Sequence, residues 1–403
     1  MNNKPLCAFD LETKGFIVKG EVPEILGASF FNDDASGTIT DLDVINNKLE
    51  NITPIFHNGK FDVAVLNGHG IEIPFWHDTI LLSYVYNTQG DHSLEDWGIN
   101  LGYPKLGMDW KDETSKSWSE SMAEYCLRDS EITWKLFNKF KTFLNNDSDF
   151  HRIYELELSF SYVLMEMERV GIPVDSDKAY AYYDILKSNI EDELIGIIEQ
   201  YPKIIAKNPK EYKKEHPDKS DDFIEEVDGI WKYRVWEEFN YNSTHHKTQV
   251  LIDQGWKPKK FNKNGTPKLD ADVIEEIQYD FPIAATFQKI GKAHKVRDTF
   301  IKALIEEQDE MHYVHTNLNQ VITRTGRLSS SKPNLQNIPS RGEKGDKVRQ
   351  LIKASPGHLL VGADLSNIEA RVLGYYMHTM CNDSSYVEAY LNDEDVHSMN
   401  AET

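Results

Sequence analysis

The sequence predicts an α/β protein: a layered strand-and-helix domain, then a mainly helical region, then the opening of a further strand–helix unit. Three observations carry that prediction. Short apolar runs over the first 60 residues lead to a long amphipathic helical period at Met122–Phe140. Residues 176–300 are highly charged and mostly helical in pattern. An apolar run at 358–363 ends in Asp364, directly before another helical pattern that begins at Asn367. At 403 residues the chain is too long for one ordinary domain, so two or three are expected.

Taken in order, Pro5–Glu12 reads as a buried strand, with Gly27–Phe31 and Ile39–Val44 as companion strands. Thr53–His57 is a further short strand that leads into a helix from about Phe61. In Met122–Phe140, residues Tyr125, Asp129, Ile132 and Leu136 recur at helical spacing. Asn145–Asp149 is a polar break. The helix Tyr154–Arg169 follows and stops at Gly171, with Pro173 just beyond. Lys203–Asp222 is rich in Lys, Asp and Pro and reads as an exposed insertion. Residues 311–322 and 357–364 read as strands. There is no internal repeat.

The net charge of −22 argues against indiscriminate binding to nucleic acid, if charge were evenly spread. It is not. Residues 1–150 hold 12 Lys/Arg against 24 Asp/Glu, whereas residues 323–353 hold 8 basic residues against 2 acidic ones. Such a basic stretch can hold phosphates, or can simply be a solvated surface. Three distant cysteines, Cys7, Cys126 and Cys381, imply neither a disulfide framework nor a Cys-rich metal site. With no apolar signal core and no membrane-length apolar run, a soluble, cytoplasmic protein is expected.

Asp10 and Glu12 lie two apart on a strand, so both carboxylates face one side. Two acids on one buried face are costly unless a cation sits between them. Mg²⁺ or Mn²⁺ suits such ligands, and a pair of ions could clamp the attacking water and leaving oxygen of a phosphodiester. Asp62 closes the turn His57-Asn58-Gly59-Lys60-Phe61-Asp62, and Tyr125 and Asp129 are i and i+4 on one helix. Each piece alone is a common surface feature; their order and spacing together are specific.

With these residues in place, the chain resembles the family A DNA polymerases of the bacteriophage replicative type. The motifs are Phe9-Asp10-Leu11-Glu12-Thr13, Asn58-Gly59-Lys60-Phe61-Asp62 and Tyr125-Cys126-Leu127-Arg128-Asp129, with His92–Gly98 as a further similar segment. The resemblance implies a ribonuclease H-like 3′–5′ exonuclease domain over 1–144. It also implies two Mg²⁺ or Mn²⁺ ions, held by Asp10, Glu12, Asp62 and Asp129, and hydrolysis from a single-stranded 3′ end. Phe16, Asn58 and Phe61 would then contact terminal nucleotides, although the two phenylalanines could equally be core.

The resemblance extends further. It implies a thumb over 150–310 carrying the charged insertion 203–222, and part of a palm over 311–403. Thr325–Pro339 is similar to a family segment that grips the primer–template minor groove, with Arg327, Asn334 and Gln336 in that role and Arg349 on a phosphate. Asp364 resembles the first metal-binding palm aspartate, with the Leu365 carbonyl as a second ligand. Glu369 would shape the sugar pocket, although Ser366-X-X-Glu369 also fits a helix capping box. His397 would reach the incoming triphosphate. No fingers helix and no second palm carboxylate follows Asp364.

Three readings follow. The chain could be the N-terminal part of a polymerase, binding dNTP only when a second chain supplies the fingers and the rest of the palm. It could be a stand-alone exonuclease, or a non-catalytic DNA-binding remnant. The insertion 203–222 is a candidate processivity-factor site or a mobile charged loop.

Overall fold

A computed structural model describes residues 4–107, 117–206, 210–211, 224–227, 230–233, 236–339 and 342–401. The polypeptide divides into two compact units, Met1–Lys353 and Ala354–Thr403.

The first unit opens on a five-stranded sheet. Strand β1 (Leu6–Thr13) is central, with β2 (Ile25–Phe31) and β3 (Ser36–Ile39) antiparallel on one side. On the other side β4 (Thr53–Phe56) and β5 (His77–Asp78) run parallel. A central strand covered on both faces reads as a near-continuous apolar run, as Leu6-Cys7-Ala8-Phe9 does. Gly27 stands opposite Glu12 in the β1–β2 register. A Cβ there would lie 2.4 Å from the Trp118 ring, so the backbone can run beneath that indole only as glycine.

The strand expected at 39–44 is corrected: β3 ends at Ile39 and helix α1 spans Leu42–Glu50. The Asp41 carboxylate accepts from the Val44 amide at 3.0 Å, and that N-cap starts a helix where apolar alternation alone suggests a strand. Helices α2 (Gly59–Gly68), α3 (Thr79–Tyr86) and α4 (Leu94–Asn100) follow. Helix α5 (Glu120–Asn146) lies along β1 and β2. The polar break before α6 (Ser148–Val170) narrows to a single residue: Asp147 ends α5 and its carboxylate caps α6 at the Asp149 and Phe150 amides.

Helix α6 stops at Gly171, whose φ of 67° favours glycine and where a Cβ would sit 2.8 Å from the His315 ring. Beyond it, β6 (Ile172–Pro173) pairs with Tyr313–Val314, and the long α7 (Ser176–Gln200) begins a mainly helical region. Two apolar cores form within this unit, one drawn from Cys7 to Leu158 and the other from Val174 to Leu351. Most of the charged insertion lies outside the described residues; its described parts are short strands, including Lys203–Ile205 paired with Trp236–Glu238.

A polar seam joins the core around the five-stranded sheet to the strand Asn317–Asn319. Glu168 on α6 pairs with the Lys60 ammonium and accepts from the Leu318 amide, while Lys60 donates to the Leu318 carbonyl at 2.7 Å. Tyr84 donates to the Thr323 carbonyl at 2.8 Å. Removing Glu168 leaves the Leu318 amide without its acceptor and the part-buried Lys60 ammonium with the Leu318 carbonyl alone. Glu168→Ala is therefore expected to lower stability by about 1–3 kcal/mol, read as a fall in urea midpoint. An unchanged midpoint would show that the seam adds nothing.

In the second unit, helices Ile368–Cys381, Ser385–Leu391 and Val396–Ala401 are formed. The strand expected at 357–364 is not. No described strand pairs with it, and Leu359 and Val361 are each 89% exposed. Apolar sequence supplies the propensity, but a strand also needs a neighbouring ladder for its amides and carbonyls. Asn367 is the N-cap of the helix Ile368–Cys381, in a left-handed conformation (φ 53°), and its own side chain caps no amide.

Candidate metal centre

Strand β1 delivers Asp10 and Glu12 to the face covered by α5. Their backbone register is fixed against Ser29 and Gly27 of β2. Asp62 arrives from the first turn of α2, where its Oδ1 accepts from the Leu11 amide at 3.3 Å. The turn before it is held by Asp78, whose buried carboxylate accepts from the amides of Asn58 (2.9 Å), Gly59 (2.8 Å) and Ile80 (3.0 Å). Asn58 itself takes the left-handed conformation, which asparagine tolerates well. Tyr125 and Asp129 come from α5. That helix is pinned to β2 by Ser29, which donates to the Cys126 carbonyl at 2.7 Å and bonds the Ser130 hydroxyl at 2.6 Å.

The electrostatics are those of acids crowded out of water. Burial raises the Asp10 carboxyl well above its usual range, and the charges of Asp129, Asp62 and Glu12 raise it further. Burial pushes Asp62 up to about 8, despite the backbone bonds that oppose it. Burial also raises Asp129, against the pull of Lys105. The Tyr125 phenol is raised by burial and by the Asp129 charge, so it stays protonated as a hydrogen-bond donor near neutrality.

Lys105, which the sequence motifs do not reveal, reaches into this cluster. Its ammonium lies 2.6 Å from Asp129 Oδ2 and 4.9 Å from the Tyr125 ring centroid. Burial works against its charge, and the Asp129 carboxylate more than outweighs that. One ammonium does not balance the set. Asp129 Oδ1 remains buried with no hydrogen-bond partner. A buried, unpartnered carboxylate oxygen among further carboxylates fits a divalent cation.

At the rim, Phe16 is 61% exposed, which removes the core-packing alternative for it. Its ring meets half-buried Phe61 edge-on at 6.3 Å, and the Lys332 ammonium stands 5.9 Å from the Phe16 centroid. The Asn58 side chain is exposed. Arg327, Asn334 and Gln336 are exposed around the strand Ser329–Ser331, which pairs with Asn317–Asn319. Arg349 is exposed in the last turn of the helix Glu343–Arg349.

Asp364, Leu365 and Glu369 lie in the second unit, all exposed, on and just after the segment that forms no strand. The His397 side chain lies outside the described residues. The structure thus brings Asp10, Glu12, Asp62, Tyr125 and Asp129 together, and leaves the Asp364 group in a separate unit. The three cysteines are free, and no described helix is long and apolar enough to cross a membrane.

Comparison with known proteins gives two family matches: a 3′–5′ exonuclease model over residues 1–145 and a DNA polymerase family A model over residues 210–403. DNA polymerase I of Synechocystis sp. is 31% identical over 360 residues, covering 86% of this chain and 33% of the relative. That of Bacillus subtilis is 29% identical, covering 85% of this chain and 36% of the relative. This chain therefore spans about a third of the length of these curated relatives. Among solved structures, the POL domain of Pol1 from M. smegmatis, in complex with DNA primer-template and dNTP, has a TM-score of 0.73 at 21% identity. It covers 97% of this chain and 62% of that one, a likeness of fold.

Proposed function

Because this chain belongs to DNA polymerase family A and carries its 3′–5′ exonuclease domain, we propose that it proofreads: it removes nucleotides from single-stranded 3′ ends. The observation that carries the reading is the convergence of Asp10, Glu12, Asp62 and Asp129 on one buried cluster with an unpartnered carboxylate oxygen. These four acids would hold two Mg²⁺ or Mn²⁺ ions. When bound, such ions activate a water and stabilise the leaving 3′ oxygen. Tyr125, kept protonated, orients that water by donating a hydrogen bond, while Phe16, Phe61 and Asn58 seat the terminal nucleotides. The test is 5′-labelled single-stranded DNA, which should shorten to a ladder from its 3′ end with Mg²⁺ and remain intact in chelator.

Tyr125→Phe keeps the ring and removes the donor. Hydrolysis should slow by about 10²–10⁴-fold, as for other lost positioning or proton-transfer groups. A wild-type rate would reduce Tyr125 to a packing residue.

The same reading assigns 1–144 to the exonuclease, 150–310 to a thumb and 311–403 to part of a palm. Arg327, Asn334 and Gln336 read the primer–template minor groove, and Arg349 holds a phosphate. Asp364 and the Leu365 carbonyl supply one side of a nucleotidyl-transfer metal site, with Glu369 and His397 at the nucleotide. Helix α6 exposes Leu156, Phe160, Val163 and Met167 at helical spacing, beside an apolar groove of about 680 Å³.

A further inference from the structure

We propose that Cys126 turns the exonuclease centre into a trap for soft divalent cations: Zn²⁺ or Cd²⁺ binds Asp10, Glu12 and the Cys126 sulfur together, in a mode distinct from that of Mg²⁺ or Mn²⁺. This rests on the reading of Asp10 and Glu12 as metal ligands. Cys126 is fully buried, yet its Sγ lies 3.4 Å from Asp10 Oδ2. The ligand atoms of Asp10, Glu12 and Cys126 all fall within 4.8 Å of one another. The backbone that carries the sulfur is held in place, because Ser29 donates to the Cys126 carbonyl and bonds the Ser130 hydroxyl. Asp129, three residues on along α5, presents its unpartnered buried oxygen on the same helix face.

The chemistry separates two classes of ion. Hard Mg²⁺ and Mn²⁺ take oxygen ligands and leave a neutral thiol alone, donating its weak hydrogen bond to Asp10. Zn²⁺ and Cd²⁺ favour thiolate, so the ion forms a metal–sulfur bond as the S–H bond breaks and the proton leaves to solvent. No oxidant or reductant is involved. Two carboxylates and one thiolate would suit a four-coordinate ion that keeps one open position. An ion so held sits off the all-oxygen arrangement, and it should leave more slowly.

The test is Cd²⁺ titration of the full chain in a Cys381→Ser background, which removes the one exposed thiol. The readout is the ultraviolet thiolate-to-cadmium charge-transfer band, with Mn²⁺ binding followed in parallel by electron paramagnetic resonance. One band-forming site per chain is expected, displaced by Zn²⁺. Cys126→Ser should abolish the band and weaken Cd²⁺ binding by about 10–100-fold, with Mn²⁺ binding changed far less. Asp10→Asn, with the thiol intact, should weaken both ions, which guards against misfolding of the serine variant. Mn²⁺ binding without any thiolate band would overturn this inference and leave the exonuclease reading standing. Failure of both ions to bind would overturn the reading of the centre itself. A band that persists in Cys126→Ser would place the sulfur elsewhere and also overturn the inference.

Discussion

Asp10→Ala combined with Glu12→Ala is expected to abolish 3′-end degradation and, in chelator, to make the protein more stable. The first effect should be on the order of 10⁴-fold or more, equivalent to about 5.4 kcal/mol of lost transition-state stabilisation. The second follows from the same geometry. Without metal, the cluster crowds Asp10 against the carboxylates of Asp129, Asp62 and Glu12, and Lys105 pairs closely with Asp129. Deleting two acids relieves repulsion and desolvation that the fold otherwise bears. A gain on the order of 1 kcal/mol would raise Tm by about 2–4 °C. Mg²⁺ or Mn²⁺ should raise Tm of the parent chain and leave that of the double variant unmoved, because only the parent binds it. Calorimetry with and without chelator reads both. Undiminished degradation by homogeneous double variant would remove the nuclease assignment. A large fall in Tm in chelator would show that these acids stabilise the fold, contrary to the electrostatics.

The cluster was legible in sequence because its spacing encodes geometry. An i, i+2 pair on a strand and an i, i+4 pair on a helix each fix which way the side chains face, before any tertiary contact is known. Lys105 and Asp78 were not legible. Lys105 follows Tyr103-Pro104 in a segment without periodicity, and it meets Asp129 only through tertiary folding. Asp78 reads as an ordinary N-cap for α3; that its carboxylate also holds the Asn58–Gly59 turn is a contact across 20 residues. Cys126 counts in sequence only as one of three distant cysteines that imply no Cys-rich site, since one thiol beside a carboxylate carries no periodic signal. The errors have a different origin. At 39–44 an Asp41 cap overrode apolar alternation. At 357–364 the apolar run is present and no described ladder makes it a strand.

The isolated 403-residue chain is expected to bind primer–template and add no nucleotide to it. On the proposed reading, binding would rest on the exposed loop around Ser329–Ser331, through Arg327, Asn334 and Gln336, with Arg349 and Lys332 at phosphates. Because phosphate contacts release counterions, log K should fall linearly with log salt, with a slope of about −0.9 for each phosphate neutralised. Arg327→Ala should cost about 1–3 kcal/mol in a gel-shift titration at fixed salt, the loss typical of one good side-chain contact in a groove. Extension is a separate requirement. Two-metal nucleotidyl transfer needs a second palm carboxylate across the ions from Asp364, which itself stands exposed in the second unit on the segment that forms no strand. Supplying in trans a polypeptide with the fingers and that carboxylate should restore template-directed extension, and Asp364→Ala should then remove it while 3′-end degradation persists. Extension by the homogeneous chain alone would refute the division of labour. If binding survives Arg327→Ala at all salts and no complement restores extension, the loop is not a primer–template grip, and the chain acts as an exonuclease only.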